Sequence, residues 1–87
     1  MSEAGTEESW LIDWFRKQNP ELSSISTEKM MTSNYFLSEY IDSFGVITLI
    51  NDAERAFNVR FDERDFQDRR FATIAGLSEI IRDRGAE

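Results

Sequence analysis

Apolar residues recur at helical spacing in three stretches of the chain, and each stretch is bounded by helix start or stop signals. The first stretch predicts a helix from Thr6 to about Gln18, with Thr6 as its N-cap, acids in the first turn and bases in the last. Its predicted inner face comprises Leu11, Trp14, Phe15 and Gln18, with Trp10 and Ile12 at the borders. Two tryptophans so close together also occur in ligand-stacking sites. At helical spacing they are more often core residues, and we interpret Trp10 and Trp14 in this way.

The second stretch predicts the most amphipathic helix of the chain, from Phe44 to Phe57, with its start at Asp42 or Ser43. Its core stripe comprises Val46, Leu49, Ile50, Ala53 and Phe57. Gly45 in the first turn costs about 1 kcal/mol of helix propensity relative to Ala. A small residue at this position is consistent with the close approach of another group to Ser43.

The third stretch predicts a final helix that follows a Thr73 cap, with Phe71 packed inward before it. Its apolar positions are Ile74, Leu77 and Ile81, with Ile80 beside them, and its stop signals are Arg82, Arg84 and Gly85. Upstream, residues 58–61 predict an extended connector, with Val59 and Phe61 inward and Arg60 outward.

Two polar segments separate these stretches. Residues 20–41 show no clear periodicity, so we predict a long solvated loop after the Asn19-Pro20 break, with one helical turn from Thr27 to Met31. Its expected anchors on the core are Tyr35, Phe36 and Ile41. The second segment predicts a single helical turn, Glu63 to Phe66, capped by Asp62; it lacks the oxygen spacing and glycine of a calcium loop, and we expect no metal site.

Together these elements predict one all-α domain over residues 1–87, a four-helix bundle with three longer helices, one single-turn helix and a long first loop. Residues 1–5 are expected to form a frayed tail. The predicted core comprises Leu11, Trp14, Phe15, Val46, Leu49, Ile50, Ala53, Phe57, Val59, Phe61, Ile74, Leu77 and Ile81.

Composition narrows the classes of function. The net charge is −7, and residues 1–54 hold ten acids against three bases, which argues against nucleic acid and favours a protein partner with a basic patch. The chain has no Cys and no His, which excludes disulfides, thiol nucleophiles and a Ser-His pair. No apolar run reaches the roughly 18 residues of a membrane span, and no signal peptide precedes the first helix, so we expect a cytoplasmic protein.

The candidate chemistry lies at Asp42-Ser43, the predicted start of the second helix. The first N–H groups of a helix lack intrahelical partners and the macrodipole is positive there, so such a place holds a phosphate well. Ser43 has no local base, because His is absent and Asp42 serves better as a capping carboxylate. Another enzyme must therefore activate it. An isolated Asp-Ser is most often only an N-cap pair.

The stretch Tyr40-Ile41-Asp42-Ser43-Phe44-Gly45 and the order of elements around it resemble acyl carrier proteins, over nearly all of residues 10–84. The resemblance extends to Val59 with Phe61 before an acidic turn, and to Phe71-Ala72-Thr73-Ile74. It implies that Ser43, flanked by Asp42, carries 4′-phosphopantetheine through a phosphodiester. The chain departs from the family at Ser38 and Glu39, near which a glycine is often found, and at Thr48 and Asn51, where many members have an acid and a methionine.

The resemblance implies a freestanding carrier, not an enzyme, that holds acyl intermediates as thioesters for fatty-acid, polyketide or other specialised acyl biosynthesis. Two alternatives remain: an aminoacyl or D-alanyl carrier, whose motif is also similar, and an unmodified helical adaptor with the same fold. An enzyme that uses Asp62 and Asp65 as acid and base has no cleft or partner group in the sequence to support it.

The expected partners are a phosphopantetheinyl transferase and acyl-activating, acyltransferase or ketosynthase enzymes with basic patches, acting on a monomer. On the helical wheel, Phe44 and Ile47 flank Ser43 outside the core stripe, and we predict that both contact these enzymes. We further predict that basic patches of the partners read Asp42, Asp52 and Glu54.

Overall fold

The computed structural model describes residues 6–85, which form an all-α structure without a β-strand. The α-helices are α1 (Thr6–Gln18), α2 (Thr27–Thr32), α3 (Ser43–Phe57), α4 (Glu63–Gln67) and α5 (Ile74–Gly85), and two 3₁₀ helices cover Pro20–Ser24 and Arg69–Ala72. The three longer helices lie where the sequence predicts them. The expected tail at residues 1–5 lies outside the described residues. The side chain of Thr6, the expected cap, lies outside the described side chains. No helix within residues 6–85 has the length and apolar character needed to cross a membrane.

Helix α5 is the centre of the packing, with α1, α2 and the second 3₁₀ helix around it. The predicted cap is confirmed, because the Thr73 hydroxyl oxygen accepts the N–H of Gly76 at 3.0 Å. A Cβ on Gly76 would lie 2.2 Å from the carbonyl oxygen of Arg70. Only glycine therefore lets α5 approach the backbone of the 3₁₀ helix so closely.

Helix α3 is joined to α1 through two tryptophan side chains. The indole N–H of Trp14 donates to a carboxylate oxygen of Asp52 at 2.7 Å. The ring of Trp10 meets Phe57 edge-on, with 5.2 Å between ring centroids. Trp14 is buried and Trp10 packs against the core, so their interpretation as core residues is confirmed.

The expectation of a mostly irregular loop at residues 20–41 is wrong. The predicted turn is present as α2, and a 3₁₀ helix precedes it; the side chains of Asn19 and Ser26 cap these two helices. Each short helix buries one apolar residue, Leu22 in the first and Met30 in the second. Because each short helix has only one buried residue, the sequence of this segment shows no apolar periodicity.

Two tyrosines fasten the rest of this segment to the core. The Tyr35 hydroxyl donates to the carbonyl of Phe71, and its N–H donates to the carbonyl of Ala72 at 3.1 Å. Burial of the phenol raises the pKa of Tyr35. Tyr40 is also buried, which the sequence did not predict. Of the other expected anchors, Ile41 packs against the core but Phe36 is 43% exposed.

The predicted core is largely confirmed. The exceptions are Val46, Ile50 and Phe57, which are half-buried, and Gln18, which was placed on the inner face of α1 but is exposed. The core also contains residues that the predicted list omits: Ile12, Leu22, Met30, Tyr35, Tyr40, Phe71 and Ile80. Most of these lie at the border of a predicted face or in the segment without periodicity.

Candidate functional site

The start of α3 has the predicted geometry. Asp42 has an extended backbone, and its side-chain oxygen accepts the N–H of Gly45 at 2.8 Å. Its carbonyl accepts the N–H of Val46 at 3.0 Å, which is the first hydrogen bond of the helix. Ser43 is therefore the first helical residue and Asp42 its cap. The N–H groups of Ser43 and Phe44 precede the first intrahelical bond, as at any helix start.

This helix start is presented to solvent. Asp42 and Ser43 are both exposed, and the two flanking apolar residues, Phe44 and Ile47, are 80% and 59% exposed. The opposite side of the helix carries its buried residues, Leu49 and Ala53. The prediction that Phe44 and Ile47 lie outside the core stripe is thus confirmed, although the fully buried residues are Leu49 and Ala53 rather than Val46 and Ile50.

Gly45 makes room for a neighbouring part of the chain. A Cβ at this position would lie 3.0 Å from the Cβ of Ile41 and 3.4 Å from a carboxylate oxygen of Asp42. The group that approaches the glycine is therefore the preceding segment of the chain itself. The small residue lets Ile41 pack against the first turn of α3.

The segment before the site contains a backbone conformation that is rare outside glycine. Glu39 has φ of 58°, in the left-handed region. This is the neighbourhood in which carrier proteins often have a glycine and this chain has Ser38 and Glu39. The sequence shows the missing glycine, but it does not show that a glutamate adopts the glycine-like conformation.

Two of the carboxylates predicted to meet partners also make hydrogen bonds within the protein. Asp52 accepts the Trp14 indole N–H, and Glu54 accepts the backbone N–H of Phe61 at 3.0 Å. Both residues are half-buried, whereas Asp42 is exposed. These bonds are non-local, so helix periodicity gives no sign of them.

Two surface clefts lie on either side of the first half of α3. One, of about 570 Å³, lies between the end of α1 and the start of α3 and includes Glu39 and Phe44 in its lining. The other, of about 360 Å³, is mainly apolar and is lined by Phe36, Val46, Ile50, Phe66, Phe71 and Ala72 together with Asp68 and Arg69. Its presence accounts for the half-buried state of Val46 and Ile50. The contributions of Phe36 and Phe66 were not predicted.

Asp62 and Asp65 form a structural pair at α4. The Asp62 carboxylate accepts the backbone N–H of Asp65, and the Asp65 carboxylate accepts the backbone N–H of Asp62, so the two residues form a capping box. Both carboxylates lie 2.9 Å from the Arg84 guanidinium. Desolvation acts to raise the pKa of Asp62, but the N–H of Asp65, the charge of Arg84 and the N–H of Arg64 outweigh it and hold the pKa below its usual value. The predicted cap is confirmed.

The remaining chemistry within residues 6–85 is sparse, since no group of three or more acidic side chains is arranged to hold a metal ion. The resemblance to acyl carrier proteins depends on residues 40–45, on Val59 with Phe61, on residues 71–74 and on the order of the elements. Comparisons with protein-family models, with curated proteins and with solved structures found no match to this chain.

Proposed function

We propose that the protein is a freestanding carrier whose Ser43 bears 4′-phosphopantetheine, on which acyl groups are held as thioesters. The observation that carries this proposal is the exposure of Ser43 as the first residue of a 15-residue helix, beside two exposed apolar side chains. The sequence around it, Tyr40 to Gly45, resembles the modification site of acyl carrier proteins. We further propose that the helices have the carrier-type arrangement, with residues 20–41 in the place of its long first loop.

The start of α3 suits a phosphodiester. The positive end of the helix macrodipole favours a phosphate at its first residue, and exposure of Ser43 gives an enzyme access to the hydroxyl. The Asp42 carboxylate opposes this charge, but it is bound to the N–H of Gly45 and does not occupy the N–H groups of Ser43 and Phe44.

Attachment requires a transferase and coenzyme A. The Ser43 oxygen forms a new bond to the phosphorus that bears the pantetheine, and adenosine 3′,5′-bisphosphate leaves as the old P–O bond breaks. The hydroxyl proton passes to a base on the transferase, because the chain has no His and the Asp42 carboxylate is engaged as a cap. When attached, the group supplies the thiol that forms the thioester.

The role of this chain is then to present cargo. Phe44 and Ile47 flank the arm and offer apolar contact to each enzyme that reaches Ser43. The exposed Asp42 and the excess of acids in residues 1–54 favour partners with basic patches. We expect the carrier to work as a monomer in the cytoplasm.

Intact mass spectrometry after incubation with a broad-specificity phosphopantetheinyl transferase and coenzyme A tests the proposal. The wild type should gain one phosphopantetheine group and Ser43→Ala none, while Ser9→Ala, at an exposed serine of α1, should gain the group as the wild type does. Circular dichroism verifies that each variant is folded.

A wild type that gains no mass, or a Ser43→Ala variant that still gains it, would refute the carrier proposal. The first result would favour the unmodified adaptor. If the group is attached, loading of the arm by an amino-acid-adenylating enzyme rather than by an acyl-activating enzyme would identify an aminoacyl or D-alanyl carrier.

A further inference from the structure

A second exposed apolar feature lies directly before the start of α3. Among residues 6–85, the exposed large apolar side chains are Phe36, Leu37, Phe44, Ile47 and Phe66. Leu37, at 82%, is the most exposed of them. Single exposed apolar residues are ordinary on protein surfaces. Leu37 differs because the backbone that carries it is held in one conformation.

Hydrogen bonds from both ends fix the turn Phe36-Leu37-Ser38-Glu39, called here the 36–39 turn. The side-chain oxygen of Asn34 accepts the N–H groups of Phe36 and Leu37, at 2.9 and 3.0 Å. The Tyr40 N–H donates to the carbonyl of Tyr35 at 3.0 Å, and both tyrosines are buried. Leu37 is therefore held outward before any partner binds.

The turn also contains the left-handed residue Glu39. This conformation is sterically unfavourable for an L-residue other than glycine. Such strain persists where the surrounding structure enforces it, and it is often found at functional segments. Here it accompanies an outward leucine and an outward carboxylate.

The 36–39 turn borders the start of α3 on two sides. Glu39 lines the same cleft as Phe44, and Phe36 lines the same cleft as Val46 and Ile50. Any enzyme that acts on the Ser43 hydroxyl must cover this end of the molecule. An enzyme that surrounds the Ser43 hydroxyl would therefore lie beside the turn as well as beside the first turns of α3.

Among the described residues, the two clefts that include Glu39 are lined by acids and by no base, whereas Arg69 lines the cleft that includes Phe36. Glu21, Glu39 and Asp42 are all exposed, and none of the ion pairs found among residues 6–85 includes them. Glu21 and Glu39 line a common cleft beside the turn. Anionic lipid surfaces would be repelled, whereas a protein surface with Lys or Arg around an apolar pocket is complementary.

We propose that the 36–39 turn and the first two turns of α3 form one docking surface for the transferase that modifies Ser43. Leu37 and Phe44 are its apolar anchors, and Glu39 and Asp42 face cationic residues around the transferase's apolar pocket. This inference rests on the proposed function and adds Leu37 and Glu39 to the predicted contacts. The sequence predicts that Asp42, Asp52 and Glu54 attract the basic patches of partners. Here Glu39 and Asp42 are the principal residues that do so.

Steady-state kinetics of phosphopantetheinylation, with a broad-specificity transferase and coenzyme A, test the surface. Leu37→Ala should raise KM for the carrier about tenfold with little change in kcat, the behaviour of a lost binding contact. Glu39→Asn removes a charge but keeps a residue that tolerates the left-handed region, and it should raise KM several-fold at low salt and much less at high salt. Glu28→Gln and Gln67→Ala, at exposed residues that line neither of the clefts beside α3, are the matched controls and should leave KM unchanged.

Leu37→Lys provides a second variant that places a cation against the cationic rim, and it should slow modification more than Leu37→Ala. Thermal unfolding of each variant separates lost docking from lost structure. If the wild type is modified but Leu37→Ala and Leu37→Lys have its KM, or change kcat alone, the docking inference is wrong while the carrier proposal stands. If the wild type is not modified at all, the carrier proposal fails and this inference fails with it.

Discussion

Helices α3 and α5 begin with the same local chemistry in opposite surroundings. In each, the side chain of the cap residue accepts the N–H of a glycine three positions later: Asp42 and Gly45 in α3 at 2.8 Å, Thr73 and Gly76 in α5 at 3.0 Å. The residue after the cap is an exposed serine in α3 but the fully buried Ile74 in α5.

The two glycines differ in the same way. A Cβ on Gly76 would meet the backbone of Arg70, which cannot move without displacing a 3₁₀ helix, whereas a Cβ on Gly45 would meet the side chain of Ile41. The start of α5 is thus packed against the preceding 3₁₀ helix, whereas the start of α3 is exposed to solvent. A cap motif alone does not distinguish an accessible helix start from a packed one; exposure of the first helical residue does.

The largest effect is expected from placing the same methyl group at each helix start. Gly76→Ala should destabilise the fold by about 3 kcal/mol or more, because overpacking against backbone has no side chain that can yield. Gly45→Ala should change stability by less than about 1 kcal/mol, because relief of the helix-propensity cost offsets the shift of Ile41. Thermal unfolding followed by circular dichroism measures both. Equal losses would show that the two helix starts are packed alike.

The next effect distinguishes the exposed apolar residues of α3, which we expect to contact partners, from its buried ones, which stabilise the fold. Phe44→Ala and Ile47→Ala should each lower kcat/KM for phosphopantetheinylation about tenfold, as anchors at a partner interface do. Each should change stability by less than about 0.5 kcal/mol, because the side chains are exposed. Leu49→Ala, at a buried position of the same helix, is the structural control and should cost about 2–5 kcal/mol. Unchanged kinetics in both exposed variants would mean that partners use another surface.

A smaller effect concerns the strain that leads into α3. Glu39→Gly should stabilise the fold by about 1 kcal/mol, because glycine adopts the left-handed region without steric cost. Asn58→Gly is a matched control, since Asn58 also has positive φ, at 55°, as the C-cap of α3. It should gain less, because asparagine tolerates this region better than glutamate. A Glu39→Gly variant less stable than the wild type would contradict the assignment of strain.

The smallest effect is the loss of folding stability at low pH. It is expected from the capping carboxylates that lie between α3 and α5 in the chain. Hydrogen bonds from the guanidinium and N–H of Arg70 lower the pKa of Asp68, and the pKa of Asp62 is also lowered. A carboxylate with a lowered folded-state pKa stabilises the fold above its unfolded-state pKa, and this contribution is lost as the pH falls through the folded-state value. Chemical denaturation from neutral pH to about pH 3 should show stability declining below about pH 4. In Asp68→Asn the decline should be shallower, and an identical decline would remove Asp68 from the account.

The sequence predicts those features that depend on local pattern. The three longer helices, the caps Asp42, Asp62 and Thr73, and the outward direction of Phe44 follow from periodicity and capping chemistry. The hydroxyl-rich segment 20–41 was only partly predicted, because its two short helices bury one residue each. Three buried residues of that segment were missed: Leu22, Met30 and Tyr40.

The features that were missed depend on residues far apart in the chain. The bonds from Trp14 to Asp52 and from Phe61 to Glu54 join different elements, so the wheel could not show that these carboxylates serve the fold. The packing of Ile41 on Gly45 and the left-handed Glu39 depend on how the loop closes onto α3. At the site, therefore, the sequence predicts the serine, its cap and its apolar neighbours, and the structure adds the turn beside them.

Localisation of the added group tests the central claim most directly. The wild-type protein is incubated with the transferase and coenzyme A, and the product is analysed by tandem mass spectrometry. We expect one phosphopantetheine group, attached to the side chain of Ser43, with the nearby exposed Ser38 and the other hydroxyl residues unmodified. A group found on another residue, or none found under conditions in which a known carrier is fully modified, would contradict the account.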